Sequence, residues 1–158
     1  MASNLKVIID NAQIKLKIPS GTRMLVRRSC HAALQQEGYD KQAVISVTFA
    51  DNEMLGSFDG MRVSNFEAPE LIAIPENNGE ENLGRIILSV ERVLELTRVY
   101  NRPFEMGIVF ASIHGVLNLL GQFYLDQETK DAQMKKEAIV MSQMGYSPLS
   151  DFETGKRR

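Results

Sequence analysis

One cysteine, Cys30, is present, so no internal disulfide can staple the fold and packing must hold it. The same usage suits a reducing compartment. The first residues also lack a cationic stretch leading into an apolar core and a small-residue cleavage site, so a cytoplasmic location is expected. Also missing are internal repeats, a Gly-rich phosphate loop, a Cys-x-x-Cys pair and a Ser-His-Asp arrangement. Those absences exclude nucleotide-binding, zinc-ribbon and serine-hydrolase readings. The most apolar segment, residues 106–120, is too short to span a bilayer and is interrupted by His114 and Asn118, so no membrane is expected as a partner. A cationic excess is lacking too. At a formal net charge of −2, indiscriminate binding to nucleic acid is disfavoured, and any RNA contact must rest on a local basic patch.

What is present suits one α+β domain. The chain has 158 residues, enough to bury a core unaided. A domain over residues 1–146 is expected, followed by a polar tail over 147–158 that ends in Lys156, Arg157 and Arg158. Residues 6–10 form a β-branched run. Ser20, after Pro19, is placed to start a helix through Gln36, with Gly38 as its stop and Leu25, Cys30, Ala33 and Leu34 inward. Residues 44–49 alternate and read as a strand; 52–59 read as a short helix and 60–67 as a loop. Two further strands are expected over 71–74 and 85–90, joined by the acidic, amide-rich residues 76–82. Helices are expected over 90–100, over the apolar segment 106–120, and over 126–144. In the last of these Met134, Ile139, Val140 and Met141 make the apolar side. The expected architecture is a four-stranded mixed sheet with a buried central helix and helices around it.

Residues 114–124 carry most of the functional information. The central helix is apolar on almost every side, so its two polar residues stand out. His114 and Asn118, four apart, share a helical face, and Gly121 can end the helix and turn the chain back past them. Two histidines at that spacing, with a third ligand after the turn, would make a tripod for a catalytic zinc. Here only the first is histidine. Its other reading is a core histidine satisfied by a carbonyl or water. Asp126 could supply a carboxylate to such a site by reaching inward, but its position before a long amphipathic run suits a helix N-cap better. Cys30 and His31 lie about 100° apart around a helix, so they do not converge on a metal and are assigned to packing or surface. Arg23, Arg27 and Arg28 on the first helix are the candidate RNA-binding patch, since residues four apart could track phosphates; the alternative is a solvated arginine face.

The run H-G-V-L-N-L-L-G-Q-F-Y at 114–124 resembles the signature H-G-x-L-H-L-x-G-Y-D-H of the YbeY-type rRNA maturation factors. Residues 44–54 resemble that family's second strand and the start of its next helix. Residues 83–91, L-G-R-I-I-L-S-V-E, resemble its L-G-D-I-V-I-S-x-E, and residues 27–32 resemble the first helix of some members. The likeness runs in order from Val7 to about Gly145. It implies the YbeY fold, zinc as cofactor, rRNA or a ribosomal subunit as partner, and endoribonuclease activity in rRNA maturation by metal-assisted phosphodiester cleavage. The oligomeric state is left open.

Under that resemblance the departures fall where chemistry is expected. The family's three histidine ligands fall on His114, Asn118 and Tyr124. Its arginine falls on Val63, with Arg62 one residue away as a substitute if the loop slips. Its P-T-D falls on Ala68, Pro69 and Glu70, the aspartate of L-G-D on Arg85, and an R-E pair on Met106 and Gly107. An amide oxygen is a poor zinc ligand and a phenol must first lose a proton with a pKa of about 10. The resemblance therefore implies an endoribonuclease whose activity is impaired or lost. The alternative is a catalytically silent protein of the same fold, either an RNA-, ribosome- or protein-binding homologue or an artificial variant.

Overall fold

A computed structural model describes residues 4–61, 69–76 and 81–146. Arg62, Val63, Ala68 and the 147–158 tail with Lys156, Arg157 and Arg158 lie outside the described residues, as does part of the 76–82 connection. The described elements are β1 (Leu5–Asn11), α1 (Thr22–Gln36), β2 (Ala43–Ala50), α2 (Asn52–Gly56), a 3-10 turn (Asp59–Met61), β3 (Leu71–Pro75), β4 (Asn82–Ser89), α3 (Val90–Val99), α4 (Phe104–Leu119) and α5 (Gln127–Gln143).

The strands make one mixed sheet in the order β1-β2-β4-β3. β1 and β4 both run parallel to β2, and β3 is antiparallel to β4. Alternation divides the side chains between two faces. Ile45, Val47 and Phe49 of β2, Ile86 and Leu88 of β4, and Leu71 and Ala73 of β3 join the main core with α1, α3 and α4. Ala50, Ile72 and Ile87 point the other way and pack beneath Leu55 of α2. Burial on both faces explains why β4 reads as the continuous run Ile86-Ile87-Leu88.

Every residue of α4 from Met106 to Leu119 is buried, so this helix is the centre of the core. Gly115 sets its distance from the sheet. A Cβ there would stand 2.8 Å from Ile86 Cδ1 and 3.1 Å from its Cγ1 and Cγ2, so any larger residue would have to displace Ile86 or lift α4 from β4. Gly121, at φ +88°, terminates the helix. Its amide donates to Asn118 O at 3.0 Å and that of Gln122 to Leu117 O at 2.9 Å, the paired closure of a helix capped by a left-handed residue.

Several expected boundaries move for local reasons. α1 starts at Thr22, with Gly21 at φ +89° at the cap instead of a side chain, so Ser20 does not start it. Val26 is fully buried, with Cys30, Ala33 and Leu34, whereas Leu25 is only half-buried. The helix expected over 52–59 breaks at Gly56 and resumes as the 3-10 turn. β4 begins at Asn82 and ends at Ser89, whose hydroxyl accepts from Arg92 N and opens α3 at Val90. In α5, Ile139 is 47% exposed, so it is not an inward residue; Gln133 and Glu137 occupy the buried face with Val140 and Met141.

Candidate functional site

The fold brings His114, Asn118 and Tyr124 to one end of α4. His114 and Asn118 lie one turn apart on its buried face, and the reversal at Gly121 returns the chain so that Tyr124 packs edge-on against the His114 ring, centroids 4.6 Å apart at 67°. One turn earlier, Phe110 stacks on the same imidazole at 5.8 Å. His114 is 0% exposed, Asn118 1% and Tyr124 5%, so the three positions share a sealed interior.

The group at the middle of this interior comes from α5. Glu137, also fully buried, accepts a hydrogen bond from the Tyr124 hydroxyl on one carboxylate oxygen. Its other oxygen lies 2.6 Å from His114 Nδ1 and 3.1 Å from Gln133 Nε2. An ionised carboxylate can only accept, which assigns the proton to Nδ1 of the imidazole. Three donors thus meet one carboxylate, the arrangement that makes burying such a group tolerable. The buried Asn118 Oδ1 and Gln133 Oε1 have no hydrogen-bond partner among the described residues.

Asp126 stays outside. Its carboxylate accepts from Thr129 N at 2.8 Å while the Thr129 hydroxyl accepts from Asp126 N at 3.0 Å, a reciprocal cap that starts α5. The backbone N–H of Thr129 is the first cause holding this exposed carboxyl below its ordinary range. The carboxylate sought at Asp126 is supplied to the interior by Glu137 instead, a residue that sequence reasoning missed together with Gln133. A signal existed. Positions 133, 137, 140 and 141 share one helical face, and Val140 and Met141 mark it as the inward one.

As a donor set this does not fit a three-histidine zinc tripod. It offers one imidazole whose Nδ1 faces Glu137, one amide and one phenol whose proton is given to the same carboxylate. Among the described residues no group of three or more His, Cys, Asp or Glu side chains is arranged to hold a metal ion.

The remaining candidates lie elsewhere. Arg85, at the position of the family's aspartate, is half-buried and 3.7 Å from Glu76, while Glu70 is 3% exposed. Cys30 is fully buried, which pushes its thiol up to about 12 and keeps it protonated. Arg23, Arg27 and Arg28 are all exposed on α1. The Arg23 guanidinium lies 6.0 Å from the Phe49 ring, whereas Arg27 and Arg28 line a groove with the half-buried His31.

This sheet order around a buried helix defines an α+β protein of the YbeY fold, and the solution structure of TM1509 from Thermotoga maritima matches it with a TM-score of 0.55 at 18% identity, over 88% of this chain and 91% of that one. The sequence model described as Endoribonuclease YbeY matches residues 8–145, and the chain belongs to that family. A relative named Endoribonuclease YbeY from Caldanaerobacter subterraneus is 30% identical over 156 residues, covering 89% of this chain and 98% of that protein. One of the same name from Alkaliphilus metalliredigens is 26% identical over 149 residues, covering 89% and 96%. Among the described residues no helix is long and apolar enough to cross a membrane.

Proposed function

We propose that this chain acts in cytoplasmic rRNA maturation, in contact with rRNA or a ribosomal subunit, as a YbeY-family protein whose endoribonuclease activity is impaired or lost. The RNA setting is carried over from relatives named as endoribonucleases. The loss of cleavage rests on one observation: the carboxylate of Glu137 engages both His114 and Tyr124 inside the core. Zinc, which the family resemblance implies, would have to be held by His114 with Asn118 and Tyr124. His114 could bind through Nε2 with its Nδ1 bond to Glu137 kept, but zinc would have to take an amide oxygen as a ligand and draw the Tyr124 proton out of its hydrogen bond to Glu137. Nor does the cluster read as acid–base machinery working without a metal. His114 and Glu137 are both 0% exposed, and a general acid or base must come within hydrogen-bond reach of the substrate.

What such a protein retains is binding. The alternative in which the chain still cleaves by the family's route requires Arg62 to take the family arginine's place and Tyr124 to release Glu137.

Native mass spectrometry after incubation with zinc and exhaustive dialysis, beside a His114→Ala control, tests the loss. We expect no retained zinc, and cleavage of an rRNA fragment no faster than with the control. About one zinc per chain that disappears in the control, with chelator-sensitive cleavage, would overturn the proposal. Restoring Asn118→His and Tyr124→His together should raise zinc retention, because the backbone still brings all three positions to one interior.

A further inference from the structure

We infer that the groove between α1 and α5 binds single-stranded RNA, with Arg27 and Arg28 holding its phosphates; this rests on the RNA role proposed above. Met24, Arg27, Arg28, His31 and Gln35 recur at helical spacing on one face of α1, and Gln143 and Met144 close the far wall. The groove encloses about 520 Å³. That is within the range of small-ligand sites, about 300–1,000 Å³.

Charge identifies the occupant. Among the described residues no carboxylate lines the groove, and neither Arg27 nor Arg28 has an ion-pair partner there. Four other cations lie beside carboxylates, Lys15 by Asp51, Arg85 by Glu76, Arg92 by Glu95 and Lys136 by Glu37, whereas Arg27 and Arg28 stand side by side along one groove. Two adjacent unpaired guanidiniums on a chain of net charge −2 make a local site for an anion, and the planar fork of arginine matches a phosphate in two bonds.

The rest of the lining suits a splayed nucleotide more than a duplex. A duplex is read across its wide, shallow minor groove and its phosphates, so it needs a surface that projects. Here the cations border a trough. Met24, 58% exposed, and the half-buried Met144 give adaptable apolar walls for a ribose or base, and the amides of Gln35 and Gln143 can both donate to and accept from base edges. Arg23 is set apart by its position against Phe49.

The test is fluorescence anisotropy of a labelled oligouridine with the full chain, over a series of salt concentrations. Arg27→Ala/Arg28→Ala is compared with Lys6→Ala/Lys41→Ala, an exposed pair of equal charge outside the groove. Circular dichroism checks that both variants fold. We expect the arginine pair to weaken binding by about tenfold or more and to flatten the log–log salt slope by about 1.4, at about 0.7 for each phosphate no longer neutralised. The lysine pair and Arg23→Ala should change affinity by less than about twofold. Binding that the arginine pair leaves intact would overturn the groove while preserving the RNA role. No binding by the wild-type chain even at low salt would overturn both. If an acidic peptide, poly-glutamate, binds the wild type more tightly than oligouridine and fails to bind the arginine variant, the groove is a protein-docking site and the RNA assignment fails.

Discussion

The α4–α5 junction and the outer face of α1 treat polar groups in opposite ways. At the junction, His114, Tyr124, Gln133 and Glu137 are buried and bonded to one another. On α1, Arg27 and Arg28 are exposed and unneutralised by any described carboxylate. Polar groups withdrawn from water and satisfied within the chain hold structure together, and they are out of reach of a partner. Charged groups left in water and unpaired hold nothing together, and they are available. The comparison therefore separates two roles that a functional metal site would combine.

Removing the hub should break the first half of that contrast with the largest effect. Glu137→Ala leaves the Tyr124 hydroxyl, the His114 Nδ1–H and the Gln133 amide facing one another without their shared acceptor. Truncating one member of a buried charged network costs about 3–5 kcal/mol, so urea denaturation should show a destabilisation of that size. A change below about 1 kcal/mol would mean that the junction is not a structural hub.

Tyr124→Phe takes away one donor and leaves the ring's edge-on contact with His114 in place. The expected cost is about 1.5–3 kcal/mol, the range for a hydrogen bond to a charged group. Denaturation midpoints of Tyr124→Phe, Glu137→Ala and the double variant should show that the two effects do not add, because both remove the same bond.

Such effects bear on what was legible in the sequence. The fold was, because its strongest patterns have a single physical reading: β2 alternates, and α4 is apolar on every side and so must be central. The convergence of His114, Asn118 and Tyr124 was also legible, since helical spacing and the reversal at Gly121 are local geometry. The hub was not. Glu137 meets His114 across 23 residues of sequence, and a glutamate in an amphipathic helix is ordinarily solvated. Assigning Ile139 inward put the helix face off by a fraction of a turn and hid Gln133 and Glu137 beside Val140. Helical spacing groups Arg23 with Arg27, but it cannot show that Arg23 rests over Phe49, a residue from another element.

The smallest expected effect sharpens the comparison most. If α1 presents a binding face and the junction holds the fold, Arg27→Ala/Arg28→Ala should change stability by no more than about 0.5 kcal/mol, as surface substitutions do. The harder question is whether the two regions are independent, because a physical route joins them. Gln143 of α5 donates to Gln36 of α1 at 2.9 Å, and Lys136 donates to both Glu37 and Gln122, at 3.3 and 3.1 Å. These contacts are exposed or half-buried, so they should transmit little. A double-mutant cycle between Arg27→Ala/Arg28→Ala and Tyr124→Phe should therefore close to within about 0.3–0.5 kcal/mol. A coupling above about 1 kcal/mol would show that the groove and the buried cluster form one unit, and that a ligand on α1 could act on the interior through α5.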